Sequence, residues 1–542
     1  RLTGAALAMG LLVGGCASDE AADGATETTV AEVAPGGGRI QGPADGTEPR
    51  RGGSVVMAIE AEPEGLDPTR YAFAGSGHFV ASAVYDPLAT IDENGLAVPY
   101  LAESIEPNDD ATVWTITLPE GVTFHDGSPL TADAVATNLE AAKASIISGT
   151  AASIMTDIEV LDTLRLEVTL RTAWHSFPAL LTSQVGYIVE PTALEAGTAG
   201  TDPVGTGPFE FNAHIPGESW SFNKNPNYWR TDDDGNQLPY LDELRFLPQP
   251  DDPARLADLE SGRVDMIHTV SPAQVNALKR SDFKRVFYDL GEENFVVLNM
   301  EAAPFDNPIA RRAVVMATDV DRYLDEIGQG TVRKANSAFA EGQLGYVEDN
   351  GYPEYDMEEA KRLVAQYEAE TGEPLAFTFV TVDEPRNMRN AQFLEALFEE
   401  AGMQVDVEGV LQIQLVARVA TGGYQMSVFR NFGSITPDTE TPFWRASSVR
   451  EEGASLNFPR YTNPRLDELI DEALGSTDEG ERDALYQELN RLWAEDLPYL
   501  WLGRFEWALA AWPRVNGIYA AGNGSLQTLG NKTWLAGLWV ER

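Results

Sequence analysis

Gly121-Val122-Thr123-Phe124-His125-Asp126-Gly127-Ser128-Pro129-Leu130-Thr131-Ala132-Asp133-Ala134-Val135 is the stretch on which the fold is decided. It reads as a turn between a strand and a capped helix. Asp126-Gly127 supplies the turn. Thr131 stands where a helix needs an N-cap, and an apolar stripe runs from there to Ile147. His125, inside the turn, reads as a fold-holding residue and not as a catalyst. Just upstream, residues 112–118 alternate apolar and polar with period 2; downstream, Leu164, Leu166, Val168 and Leu170 share one face. Both segments suit a half-exposed antiparallel sheet. Farther out, residues 54–59 read as a strand, and helices are expected over 356–370, over 390–401 with Gly402 as the C-terminal cap, and over 466–474 and 481–495. Strands and helices alternate throughout, so the class is α/β. The folded part, about 490 residues, exceeds what one core usually holds.

The other end of the argument is the N-terminus. Residues 2–13 are apolar or small behind Arg1, and the run ends in Val13-Gly14-Gly15-Cys16. It is too short to span a bilayer, which takes about 20 apolar residues, and matches the apolar centre of a secretory signal. Small residues before a cysteine resemble the lipobox of bacterial lipoproteins, a resemblance that implies lipidation of Cys16. The competing reading is a buried structural cysteine. Cys16 is the only cysteine among 542 residues, so a disulfide framework and a cysteine metal site are excluded. Residues 17–52 are rich in Ala, Gly, Thr, Glu, Asp and Pro and are expected to be a disordered tether.

The chain carries 85 acidic and 38 basic residues, for a net charge of −47. Nucleic acid is thereby disfavoured as a partner, since phosphate binding needs Lys and Arg clusters. Enzyme motifs are absent: the sequence has no Gly-x-Ser-x-Gly elbow and no phosphate-binding Gly-x-x-x-x-Gly-Lys loop. The five histidines, 78, 125, 175, 214 and 268, show no metal-ligand spacing. Asp232-Asp233-Asp234-Gly235-Asn236 fails the EF-hand register at Gln237 and reads as an acidic surface turn. No cofactor, no metal and no enzymatic activity are expected.

An ordered set of segments resembles the family 5 extracellular solute-binding proteins of ATP-driven (ABC) importers, the oligopeptide- and dipeptide-binding group. Besides the opening stretch it includes Val84-Tyr85-Asp86-Pro87-Leu88, Val204-Gly205-Thr206-Gly207-Pro208-Phe209, Asn225-Pro226-Asn227-Tyr228-Trp229, Ser261-Gly262-Arg263-Val264-Asp265 and Asp467-Glu468-Leu469-Ile470-Asp471-Glu472-Ala473. The resemblance implies a two-lobed, periplasmic-binding-protein-like fold of class II type. The ligand cleft would lie between the lobes, closing by a hinge. Residues 1–16 would be the signal peptide, with lobe I formed by 53–92, 203–265 and 509–542. An extra subdomain would be inserted at 93–202, and lobe II would span 266–508.

The resemblance also directs attention to ligand residues. Phe73, Gly75, Ser76, Gly77 and His78 follow the first strand, where a Gly-Ser-Gly loop would expose backbone groups to a close ligand; a plain turn is the competing reading. Arg386 and Arg389 lie between an expected strand and helix, in the region that supplies an arginine for the ligand carboxylate in dipeptide binders; solvated, salt-bridged arginines are the alternative. Peptide binders place an aromatic and then an amine-anchoring aspartate near Arg430, Asn431 and Phe432, but Ser434 and Ile435 occupy the aspartate's place and Asp438 matches a later structural position. Arg430, Asn431 and Trp444 would then serve another solute, and Asn with Trp would suit a sugar. The expected protein is a monomeric, lipid-anchored extracytoplasmic receptor. It would deliver a peptide or peptide-like solute to an ABC permease and its ATPase subunits. Binding of oligosaccharide or metal chelate, or a sensory or adhesive role, is the alternative.

Overall fold

A computed structural model describes residues 39–46, 48–92, 96–432, 436–450, 453–518 and 535–541. Cys16, most of the expected tether and the stretch 433–435 lie outside the described residues. The strand-turn-helix reading at 121–135 holds. Gly127 takes a positive φ of 86° in the turn, which L side chains rarely adopt. Thr131 caps helix Ala132–Ala144, its side chain accepting from the Ala134 amide at 3.2 Å. The helix stops before Ile147, at Ser145, whose backbone is extended. His125 fastens this turn to a distant one. Its backbone amide donates to the Gly205 carbonyl at 2.9 Å. Its Nδ1 accepts from the Gly205 amide at 3.3 Å and its Nε2 donates to the Gly207 carbonyl at 2.9 Å. Those partners require the neutral ring with its proton on Nε2. Burial accordingly pushes its pKa down to about 4, against opposing contributions from the Gly207 hydrogen bond and Asp126.

Strands Ser104–Pro107, Val113–Thr117, Arg165–Leu170 and Met155–Asp162 pair antiparallel in that order, forming a separate four-stranded sheet. Trp114 and Ile116 are buried while their neighbours are half exposed, as period 2 requires. Burial of such side chains contributes about 1.5–3 kcal/mol each. This is the inserted subdomain.

The main sheet has twelve strands. From one edge the path runs through Phe209–Ile215, Ser219–Lys224, Glu243–Pro248, Ser54–Ile59 and Met266–Thr269, and these are the first lobe's strands. It then crosses Tyr499–Ala511 and Lys284–Leu298 and continues into Met426–Phe432, Ala376–Val382 and Gln404–Val410, in the second lobe. Two long antiparallel strands therefore belong to both lobes. Near Ala508–Ala511 the second crossing strand pairs with Met266–Thr269 of the first lobe. From Glu292 onward the first crossing strand pairs with Met426–Phe432 of the second. Between these regions the register of the crossing pair shifts, at Tyr288/Glu292. All thirteen residues of Tyr499–Ala511 are buried. Each lobe has its own core, around Val55, Phe79, Trp220 and Leu509 in the first and Val296, Phe379, Leu394 and Leu500 in the second.

Three expectations are corrected. Residues 39–41 pair with the first crossing strand, Arg39 opposite Phe287, and the Asp45 carboxylate meets the Lys284 ammonium at 2.8 Å; the end of the expected tether is part of the body. Met266–Thr269 pairs parallel to Ser54–Ile59, so the first lobe extends past residue 265. The helix expected over 390–401 spans Pro385–Glu400, because proline at the first helical position loses no hydrogen bond.

The described elements also explain several recurring segments. Buried Asp86 accepts from Thr206 Oγ1 at 3.0 Å, Tyr228 Oη at 3.1 Å and Trp229 Nε1 at 2.9 Å, tying three of the family-like stretches to one carboxylate. Asp232 accepts from the Asn236 backbone and side chain, as a surface turn does.

Replacing His125 by Ala leaves the Gly205 amide without its acceptor and the Gly207 carbonyl with Asn225 Nδ2 as a remaining donor, and should lower unfolding free energy by roughly 1–3 kcal/mol. Because its folded pKa is depressed, the stability contributed by neutral His125 is complete above its ordinary 6.5 and is lost as pH falls toward about 4. Urea melts across that window should show a shallower pH dependence in His125→Ala than in the parent.

Candidate functional site: the cleft between the lobes

The first lobe presents a charged cluster to the cleft. Glu60 follows strand Ser54–Ile59, His268 lies on Met266–Thr269, and Asp252 and Arg255 open helix Asp252–Glu260. Arg255 is fully buried. It can be, because its guanidinium is satisfied by Asp252 at 2.6 Å, the Gln249 carbonyl at 2.6 Å and the His268 carbonyl at 3.0 Å, with Glu60 at 3.4 Å. Burial alone would raise the Glu60 carboxyl. His268, Arg255, Arg430 and Arg386 outweigh it and hold the group near 2. His268 is pushed down to about 4 by burial, reinforced by Arg255 and Arg430 and opposed by Glu60. Its ring packs edge-on against Trp507, centroids 4.8 Å apart.

Two of the arginines acting on Glu60 belong to the second lobe. Arg386 sits in the first turn of helix Pro385–Glu400, and its Nη1 reaches Asp252 Oδ2 of the first lobe at 3.6 Å. Arg430 lies on strand Met426–Phe432, opposite Asn294 of the first crossing strand. At another border, the inserted subdomain meets the second lobe. The His175 amide donates to the Leu474 carbonyl at 3.0 Å, and Ser176 Oγ donates to Asp438. Asp438 is fully buried and also receives Tyr486 Oη and Arg482 Nη2, each at 2.5 Å. It is structural, as its position in the sequence implied. The lobes thus touch at both of these borders.

Beside the crossing strands, on the second lobe, lies a small pocket with a volume of about 20 Å³. Its strand wall is Glu293 and Phe295 from one crossing strand and Tyr499 and Trp501 from the other. The opposite wall comes from Glu440, Phe443 and Trp444 with Phe458. The rings pack closely: Phe295 meets Tyr499 and Trp501 with centroids 5.2 and 5.5 Å apart, and Phe443 meets Phe458 at 5.8 Å. Glu293 is 6% exposed and pairs with buried Arg504 at 2.8 Å. Burial raises its pKa to about 7, Arg504 opposing.

The expected ligand residues divide. Arg386 and Arg430 face the first-lobe acids, and Trp444 lines the pocket. Arg389 is exposed, three residues along the helix from Arg386. Asn431 and Phe432 end their strand, with Asn431 opposite Glu293. The expected Gly-Ser-Gly loop is instead the first turn of helix Gly75–Val84. Ser76 Oγ accepts from the Ala61 amide at 3.1 Å. His78 and Phe73 are buried against each other, centroids 5.6 Å apart, and near Tyr187. Sequence reasoning missed Glu60, Asp252, Arg255, Glu293 and Glu440. A glutamate inside the apolar strand that ends Phe295-Val296-Val297-Leu298 was the one available signal, because an unpaired charge in such a strand is costly.

Arg386→Ala removes a half-exposed ion pair and should change stability by less than about 1 kcal/mol. It should nevertheless loosen the lobes, seen as a larger radius of gyration in small-angle scattering. An unchanged radius would show that this contact does not hold them.

Comparison with known proteins agrees with this architecture. Residues 97–453 match the model of the bacterial extracellular solute-binding proteins, family 5. The glutathione-binding protein of Pectobacterium atrosepticum is 27% identical over 481 residues, 86% of this chain and 91% of the relative. A probable D,D-dipeptide-binding periplasmic protein of Escherichia coli is 26% identical, over 80% and 88%. Among solved structures, the PBP AgaA of A. tumefaciens R10 in complex with agropinic acid superposes with a TM-score of 0.81 at 22% identity, covering 90% of this chain and 99% of the other. The periplasmic binding protein DppA of Helicobacter pylori in complex with peptide STSA gives 0.79 at 24% identity, covering 91% and 99%. The two-lobed fold is shared, and the chain belongs to the family 5 bacterial extracellular solute-binding proteins.

Proposed function

We propose that this protein captures a small peptide-like solute between its lobes and delivers it to the permease of an ABC importer, held beside that permease by a lipid on Cys16. The observation that carries the peptide-like class is the pair Arg386 and Arg430, projecting from the second lobe toward the first-lobe acids. A guanidinium in a closing cleft suits a ligand carboxylate, which it binds in bidentate fashion. Asp252, 3.6 Å from Arg386, shows that a carboxylate can reach this guanidinium across the cleft. The relatives named for glutathione and for a D,D-dipeptide support the same class. The sugar reading loses support, because Trp444 is only 6% exposed and is packed against Phe339 and Trp493. The protein acts as a monomer and performs no chemical step on its solute.

Thermal denaturation of the full chain against dipeptides, tripeptides including glutathione, oligosaccharides and nickel-histidine tests this. A bound peptide at 100 times its Kd stabilises by about 2.7 kcal/mol, readily seen as a raised Tm. A shift by sugars alone, or by nothing in the panel, would sink the proposal. Independently, Cys16→Ala should move the protein from the membrane fraction to the soluble extracytoplasmic fraction; unchanged partition would remove the lipid anchor.

A further inference from the structure

We infer that residues 39–46 are a brace on the crossing strands, which stiffens the join between the lobes and slows release of the captured solute. The effect on release rests on the solute-capture proposal; the brace itself does not.

Each crossing strand has the other on one side and shorter strands on its second side. Tyr499–Ala511 is flanked by Val332–Lys334 at residues 503–505 and by Met266–Thr269 at residues 508–511. Lys284–Leu298 is flanked by Met426–Phe432 from Glu292 onward and by Arg39–Gln41 at residues 285–287. Between these last two flanks the crossing pair shifts register. Tyr288 stands opposite Trp507 and Glu292 opposite Phe505, so residues 289–291 span the same step as Glu506 alone. Such a bulge bends its strand and increases the local twist. Arg39–Gln41 ends its pairing at Phe287, just short of the bulge. A two-stranded ribbon twists more than a wider sheet. The added strand removes that freedom from the first-lobe side of the bulge.

The segment is seated by specific contacts. Lys284 is 1% exposed, and its ammonium donates to Asp45 at 2.8 Å and to Asn516 Oδ1 at 2.6 Å. The other Asp45 oxygen accepts from the Gly517 amide at 3.0 Å, and the Gly46 amide donates to Asn516 Oδ1 at 2.7 Å. Gly42 has a φ of 108°, and a Cβ there would collide with the Phe283 carbonyl oxygen. A Cβ on Gly46 would lie 2.6 Å from the Trp539 ring. The segment therefore fits both the crossing strand and the C-terminal part of the first lobe. A passive tether needs neither a buried lysine–carboxylate pair nor glycines at these close approaches. Because the pairing is antiparallel, Arg39, the end that leads back to Cys16, is the end nearer the bulge. The stretch leading to Cys16 thus joins the body at the border between the lobes.

Hydrogen–deuterium exchange of the full chain tests the brace, with Gly42→Val and the double variant Gly42→Val, Asp45→Ala. Both alter only the segment. Residues 39–46 should lose protection, and residues 285–291 should exchange about ten-fold faster than in the parent. A peptide found to bind the parent should dissociate about three-fold faster or more from the variants. Asp45→Asn weakens the seat without adding bulk and should give a smaller change of the same sign. Circular dichroism melts confirm that the variants fold. If residues 39–46 come away while exchange over 285–291 stays as in the parent, or while the bound peptide leaves no faster, the brace is overturned. Undiminished protection of 39–46 in the double variant also overturns it, because the glycine and the carboxylate would then not be what seats the segment. A parent that binds no peptide fails the solute-capture proposal alone, and the exchange result still decides the brace.

Discussion

The structure depends on one pairing, between Lys284–Leu298 and Tyr499–Ala511. These strands are the sheet of both lobes at once. Their backbone groups must remain paired while the lobes move, since an unpaired buried amide or carbonyl is costly. The ladder of this pair is interrupted by register shifts between Tyr288 and Glu292 and between Asn294 and Phe295. The constraint also places the site. Glu293 follows the first shift and Phe295 the second, and Tyr499 and Trp501 stand across from this region on the other strand. The pocket thus borders the elements that link the lobes.

The segments that identify the family work mainly as fasteners. Asp86 gathers Thr206, Tyr228 and Trp229; His125 locks its turn to Gly205 and Gly207; Asp438 gathers Ser176, Arg482 and Tyr486. Each is a largely buried polar group whose partners lie far away in sequence, and each satisfies groups that would otherwise destabilise the interior. Such networks fix a frame and leave the cargo unspecified. That division explains how relatives named for glutathione and for a D,D-dipeptide share the architecture at about a quarter identity.

Legibility in the sequence follows the same division. Alternation revealed Val113–Thr117 and Arg165–Leu170, a cap revealed the helix starting at Ala132, and an apolar face revealed the helix starting at Met357, because these are local signals. Gly75-Ser76-Gly77 misled, since two glycines argue for a turn by propensity while tertiary packing of His78 and Phe79 draws them into a helix. Residues 39–41 misled for a related reason: their order comes from pairing with a strand almost 250 positions away, which composition cannot reveal. The pocket was the least legible part. Its walls come from residues 293 to 501, and no local pattern marks their convergence. Arg386 was found through family resemblance, and only its distance to Asp252 separates it from exposed Arg389.

The central claim is that one peptide-like solute sits between the lobes. Native mass spectrometry of the full chain, gently released from membranes and incubated with a mixed di- and tripeptide library, tests it most directly. The account predicts a single small-molecule adduct per chain, whose fragments are those of a peptide bearing a free carboxylate. A chain that stays free of peptide, or that retains a sugar or a metal chelate in its place, would contradict it.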